Sequence, residues 1–202
     1  MQYQYPHTIT NGGGELLTFT SRITTLTGDW LEGENLVQPN SGPPMHVHHL
    51  QDEHLTVVKG KMGVQVLGEA PKFFGPGEGA TFKAGVPHKF WNAGTEPLQC
   101  RAWVKPAYNM EYFLTEIFKS TEANGGKRPG TFDAAYLLDR YQSEYDMLEI
   151  PSFVKKVVFP VVLFFGKLLG MHRKFEGAPE PILNIRPQET IQQFNNSAIQ
   201  IT

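Results

Sequence analysis

Two hydrophobic periods divide the chain. From residue 12 to about 107, short runs of β-branched and aromatic residues alternate with Gly, Pro and Asn, as in Leu16–Thr20, Leu55–Val58, Val64–Leu67 and Arg101–Val104. Strands this short, spaced by turns, predict a sandwich or barrel rather than βαβ units. Lys59-Gly60-Lys61 joins two of these runs closely and reads as a hairpin turn. After Pro106 the period lengthens. Met110, Phe113, Leu114, Ile117 and Phe118 recur at helical spacing and predict an amphipathic helix over 109–120. A loop over 122–130 follows, then a helix capped by Thr131 or Asp133 and running to about Tyr145. Pro151 opens a third helix that Pro160 should bend or interrupt. Residues 175–202 are polar with few anchors and are expected to form an extended tail.

The third helix is apolar nearly all round over 153–169, with Lys155, Lys156 and Lys167 at its ends. Such a helix is normally buried, here against one end of the β region or a second subunit. A membrane-surface helix is the sharper alternative. Its apolar core, residues 157–166, is too short for a bilayer span, which needs roughly 17–25 residues. Met1–His7 has neither a basic start nor an apolar run, so it does not read as a secretory signal, and the chain is expected to be cytoplasmic.

Composition narrows the classes. The 202 residues suit one domain with additions, and 40% hydrophobic residues allow a sizeable core. A net charge of −2 gives no electrostatic reason to bind nucleic acid. The single cysteine, Cys100, cannot form an internal disulfide and reads as a small buried hydrophobe.

The chemistry concentrates between Gly42 and Gly60, where four of the seven histidines fall in nine residues. Side chains at i and i+2 of a strand point the same way, so His46 and His48 present two imidazoles to one side. Glu53 shares a face with Leu55 and Val57 on the following strand, whereas His54 and Thr56 face the other way. A carboxylate beside an apolar interior either raises its pKa or binds a cation, and nearby imidazoles favour the cation. Asp52 is the alternative carboxylate, but the alternation favours Glu53. A second stretch, Gly77 to Asn92, makes a Gly- and Pro-bearing turn before His88 and adds a fourth donor, with Phe90 and Asn92 on the His88 side. His49 and His54 fall off the ligand face, and His7 and His172 read as surface residues.

These two stretches resemble the two motifs of the cupin superfamily. The first has the form H-x-H, three or four residues, E, six residues, G, and reads His46-x-His48, four residues, Glu53, six residues, Gly60. Gly42 precedes His46 by three intervening residues rather than the usual five. The second has the form G-x5-P-x-G-x2-H-x3-N and reads Gly77-x5-Lys83-x-Gly85-x2-His88-x3-Asn92, with Lys83 in place of proline. The resemblance covers about residues 35–107. It implies a mainly β fold, a cupin-type jelly-roll β-barrel over 1–107, followed by a helical extension over 108–174 that packs on the barrel or a dimer partner, and the tail over 175–202. It assigns His46, His48, Glu53 and His88 as ligands of one divalent transition metal. A three-nitrogen, one-oxygen set suits Fe, Mn, Ni, Co or Zn and is too nitrogen-rich for Ca or Mg. The bland alternative is a set of structural histidines in a member that has lost its metal.

The expected function is a mononuclear metal-dependent enzyme of dioxygenase type, an oxidoreductase acting on a small organic molecule, with Glu53 as catalytic base and Phe90 and Asn92 in the substrate pocket. The alternatives are a redox-neutral isomerase or lyase, or a non-catalytic small-molecule sensor. A homodimer is expected, with no nucleic-acid partner and no membrane partner.

Overall fold

The computed structural model describes residues 3–26, 28–183 and 199–201. Its strands are β1 His7–Thr10, β2 Glu15–Thr25, β3 Gly28–Val37, β4 His46–His48, β5 Asp52–Lys59, β6 Met62–Val66, β7 Lys72–Phe74, β8 Gly79–Phe82, β9 His88–Asn92, β10 Leu98–Lys105, β11 Tyr145–Met147 and β12 Ile199–Ile201. Helices α1 (Met110–Ala123), α2 (Thr131–Arg140) and α3 (Phe159–Leu168) lie between β10 and β12. The strands form two antiparallel sheets, one in the order β1-β2-β3-β10-β5-β8-β12 and the other β11-β4-β9-β6-β7. The protein is mainly β, as the alternating pattern predicts.

The sheets pack face to face. Inward residues of the first (Val37, Leu55, Val57, Leu98, Cys100) meet those of the second (Met62, Val64, Phe90) in one buried cluster. Each such fully buried aliphatic side chain contributes about 1.5–3 kcal/mol. A second cluster joins the helices to the other end of the first sheet, where Phe113, Phe118 and Leu163 pack with Leu17, Phe19 and Val104.

Two sequence expectations fail for topological reasons. Lys59-Gly60-Lys61 is no hairpin: β5 pairs with β10 and β8, while β6 pairs with β7 and β9 in the other sheet. The chain crosses between layers there. Gly60 makes the crossing at φ 97, with Leu98 Cα only 3.1 Å from where a Cβ would stand. The second helix also stops early. It ends at Arg140, and Tyr145–Met147 pairs with β4, Tyr145 opposite His48 and Met147 opposite His46. Backbone pairing with a sheet edge there outweighs continued helix. Neither Thr131 nor Asp133 caps this helix. The N-cap is Gly130, and the Asp133 carboxylate instead accepts a 2.6 Å bond from Ser120 Oγ and pairs with Lys174.

Pro160 leaves its mark as expected. Val154–Val158 widens into a π-turn just before it, and α3 then runs on to Leu168. Pro160 has no N–H for the carbonyl four residues back, and the wider turn accommodates its ring. The expected burial of this helix is only partial. Phe159, Leu163 and Gly166 face inward, Gly166 so close that a Cβ would stand 2.1 Å from the Phe132 ring, while Phe164, Phe165 and Leu168 are exposed.

Of the expected tail, residues 175–183 and 199–201 are described, and both are tied down: Ile199–Ile201 pairs with β8 as a strand, Tyr141 Oη and the Arg140 guanidinium donate to Pro179 O, and Asn109 Nδ2 donates to Glu180 O. Residues 184–198 lie outside the described residues. Cys100 is buried 4.0 Å from Met62 Sδ, and burial pushes its thiol up to about 12, in keeping with an inert core residue. His7 is not a plain surface residue. It sits half-buried between Tyr3 and Phe19, its Nδ1 3.0 Å from buried Glu111 Oε1. No helix of the described residues is long and apolar enough to cross a membrane.

Candidate metal centre

Opposite layers supply the site. His46 and His48 stand on β4, and His46 lies directly across from His88 of β9 in the same sheet. Glu53 comes from β5 in the facing sheet, in register with Phe82 and Val104. The turn between β4 and β5 carries the chain across the layers and is held by Gln51, whose amide donates to Glu144 Oε2 at 3.3 Å and Tyr145 Oη at 3.0 Å.

The turn before His88 is built onto this strand. Gly85 N–H donates to His48 O at 2.7 Å, and Asp52 accepts from Ala84 N–H at 2.9 Å and from Lys83 Nζ at 2.8 Å. Asp52 is therefore spent on the loop, and Glu53 alone turns inward. Lys83, the residue standing where the motif has proline, is an exposed partner of Asp52.

One donor atom from each of His46, His48, Glu53 and His88 lies within 4.8 Å of all the others. The reference point is Glu53 Oε2: His88 Nε2 stands 2.8 Å from it, and His46 Nε2 and His48 Nδ1 each stand 3.9 Å away. The far nitrogens orient the rings. His46 Nδ1 donates to Pro44 O and His88 Nδ1 to Val86 O, both at 2.8 Å. Those bonds turn each Nε2 lone pair toward the centre, the usual support of a ligating histidine. Phe82 stacks on His88 at 3.9 Å between centroids.

The polar accounting fits a metal ion. His48 Nδ1 is buried without a hydrogen-bond partner, which is costly unless something binds it. Both His88 nitrogens face acceptor oxygens. A neutral imidazole has one proton and satisfies only one of them, so the second contact calls for another proton or a metal. Burial pushes His46 down to about 4, helped by His88, and His48 down to about 3. Burial alone would raise the Glu53 carboxyl, but the imidazoles, His48 foremost, outweigh it and hold it at about 2. At neutral pH His46 and His48 are thus neutral donors and Glu53 is a carboxylate, the protonation states a metal requires of them.

A cavity of about 730 Å³ adjoins the cluster. His46, His48 and Glu53 line one part, Phe90 and Leu55 the sheet side, and Met110, Phe113 and Ile117 of α1 the helical side. Phe90 is where the alternation placed it. Asn92 is not in the cavity wall. Its amide is fully buried and donates to Val37 O and Glu96 O at 2.8 Å while accepting from Gly94 N–H. That side chain fastens the turn after β9. Neither His49 nor His54 joins the cluster. His54 lies on the outer face, bonded to Thr81 and Thr56 at 2.8 Å and stacked on Trp103.

Sequence reasoning did not find Tyr145, whose ring lines the cavity and meets His48 edge-on at 5.8 Å. Nor did it place the α1 residues in the site. Their helical period marked them as apolar-face residues, but nothing local says that this face covers a cavity.

Residues 34–104 match the family model described as Cupin domain. Over these residues the chain carries a cupin domain. Solved structures resemble about half of the chain. AerE from Microcystis aeruginosa is 18% identical over 49% of this chain and 44% of its own, with a TM-score of 0.43. TT1209 from Thermus thermophilus is 23% identical over 53% and 90%, with a TM-score of 0.39. An uncharacterized conserved protein with a double-stranded beta-helix domain from Klebsiella pneumoniae is 19% identical over 53% and 79%, with a TM-score of 0.41. The chain spans less than half the length of AerE. No curated protein matches the sequence. Likenesses at this level carry no argument of their own.

Proposed function

We propose that His46, His48, Glu53 and His88 hold one divalent transition-metal ion, and that the protein is an enzyme of oxygenase type acting on a small, largely apolar organic molecule. The two sheets are read as the jelly-roll barrel of the family. The observation that carries this reading is the adjacency of the four-donor cluster to a cavity of about 730 Å³. That volume lies within the range of ordinary small-molecule pockets, about 300–1,000 Å³. Three of the four donors border the cavity directly, so a molecule held there reaches the centre.

A bound Fe(II), Mn(II) or Ni(II) ion supplies Lewis acidity and, for redox-active metals, a partner for dioxygen. The chain's own residues do the rest. Phe90, Phe113 and Ile117 bind the apolar body of the substrate and exclude water. Glu53, held as a carboxylate, is placed to take a proton from a substrate hydroxyl or enol group beside the imidazoles. Tyr145 and Phe90 orient the substrate against His48. Lys127 and Arg128, which also line the cavity, suit a substrate with an anionic group at its outer end.

The test is oxygen consumption by metal-loaded protein across phenolic, enolic and thiol substrates. Uptake that disappears in Glu53→Gln supports the oxygenase reading. Turnover that persists without oxygen assigns the site to the redox-neutral isomerase or lyase class. Saturable binding with no turnover makes the protein a sensor.

A further inference from the structure

The helical segment over residues 153–171, which includes α3, exposes a run of large apolar side chains on its outer face. Phe153 and Phe164 are each 66% exposed, and Leu168 and Leu169 are 75% and 77% exposed. Val157, Val161, Phe165 and Met171 are exposed with them. Exposed apolar surface this continuous marks an interaction face. It is not slack packing, because the inner face of the same helix is engaged. Phe159 and Leu163 are buried, and Gly166 lies against the Phe132 ring with no room for a Cβ. The outer face therefore cannot turn inward.

Charge identifies the occupant. Residues 150–175 contain Lys155, Lys156, Lys167, Arg173 and Lys174 and no Asp or Glu, in a chain whose net charge is −2. Lys155 pairs with Asp146, and Lys174 with Asp133. Lys156, Lys167 and Arg173 are exposed and form no salt bridge among the described residues. An apolar helix face rimmed by free cations is complementary to an anionic lipid surface. A second copy of the chain is the competing occupant. A two-fold pairing sets the same patch against itself, and so brings these cations close to their counterparts. A bilayer gives each a phosphate instead.

We propose that this face docks the protein on an anionic bilayer, with Phe153, Phe164, Phe165 and Leu168 entering the boundary between headgroups and acyl chains and Lys156, Lys167 and Arg173 lying at the phosphates. The helix lies in the interface and does not span. Val154 and Phe159, on the same helical segment, line the cavity described above, so docking sets one wall of that cavity beside the membrane. The inference stands without the metal assignment.

The experiment is co-sedimentation of the full chain with vesicles of phosphatidylcholine alone and of equal parts phosphatidylcholine and phosphatidylglycerol, with light scattering of the free protein. The expected result is a monomer that partitions onto the anionic vesicles, at least tenfold less onto the neutral ones, and less as salt rises. Removing three cations together (Lys156→Gln, Lys167→Gln, Arg173→Gln) weakens partitioning about 100-fold, at roughly fivefold per cation. Phe164→Glu with Leu168→Glu abolishes it; both residues are exposed, and an unchanged thermal midpoint confirms that the double variant folds. A folded wild-type chain that ignores anionic vesicles overturns the proposal. So does equal binding to both vesicle types, or a dimer that the double glutamate variant splits.

Discussion

The β layers and the helical segment depart from ordinary burial in opposite directions. Between the sheets, four ionisable side chains sit where apolar ones belong. On α3, apolar side chains stand where charged ones belong. Buried polar groups and exposed apolar patches are the informative exceptions to the rule that hydrophobic residues lie inside. Each implies a partner that the chain does not itself provide: a cation for the imidazoles and carboxylate, and a surface for the helix. The lesson is that the two kinds of exception have different costs. An unpaired buried donor set destabilises the fold itself, whereas an exposed apolar face costs little until another surface meets it.

Substitutions sharpen that contrast. The largest effect belongs to the ligands. His48→Ala or His88→Ala should weaken metal affinity by well over about 100-fold, beyond the 10–100-fold typical of groups that merely support a ligand. A competitive chelator titration measures it. The neighbour on the other face gives the control. His54→Ala should leave affinity within a factor of two or so and cost about 1–2 kcal/mol of stability through the two threonine bonds and the Trp103 stack.

Acid comes next. His46 and His48 titrate at about 4 and 3 in the fold against 6.5 in the unfolded chain, so the unfolded state binds more protons as pH falls below 6.5. The stability that rests on these two neutral imidazoles is therefore full above pH 6.5 and is lost below it. Glu53, at about 2 against 4.5, adds to the loss only as pH drops below 4.5. Glu15 opposes the trend. Burial raises its carboxyl to about 7, so its contribution grows as pH falls through the same range. For His46, His48 and Glu15 together the net loss between pH 6.5 and 4.5 is on the order of 3 kcal/mol, read by urea denaturation at each pH.

The two faces of α3 give the smallest and cleanest pair. Leu163→Ala, on the inner face, should cost about 2–4 kcal/mol. Phe164→Ala, one residue on and exposed, should stay within about 0.5 kcal/mol. Equal losses would show that the outer face is covered in solution.

Much of the site was legible because strands make it so. With a period of two, the sequence alone separates His46 and His48 from Val47, Glu53 from His54, and His88 and Phe90 from Lys89. The layer change at Lys59–Lys61 was not legible, because a short Gly-centred link serves a hairpin and a sheet crossing equally well, and only the distant partners β8, β9 and β10 decide between them. The same holds for Tyr145–Met147. Its residues continue a helical pattern, and the free edge of β4 that captures them lies about a hundred residues earlier. Asn92 was misread for a related reason. Alternation gives the direction of a side chain but not what waits there, and here two backbone groups of the turn after β9 and the carbonyl of Val37 at the end of β3 had already claimed the amide.

The central claim is that one ion is held between the two layers. Anomalous diffraction from crystals of metal-loaded protein, recorded on both sides of the metal's absorption edge, tests it directly. The account predicts a single peak per chain, bonded to Nε2 of His46, Nδ1 of His48, Nε2 of His88 and a carboxylate oxygen of Glu53. A fully loaded crystal with no peak among these four side chains, or with the ion bound elsewhere, would contradict it.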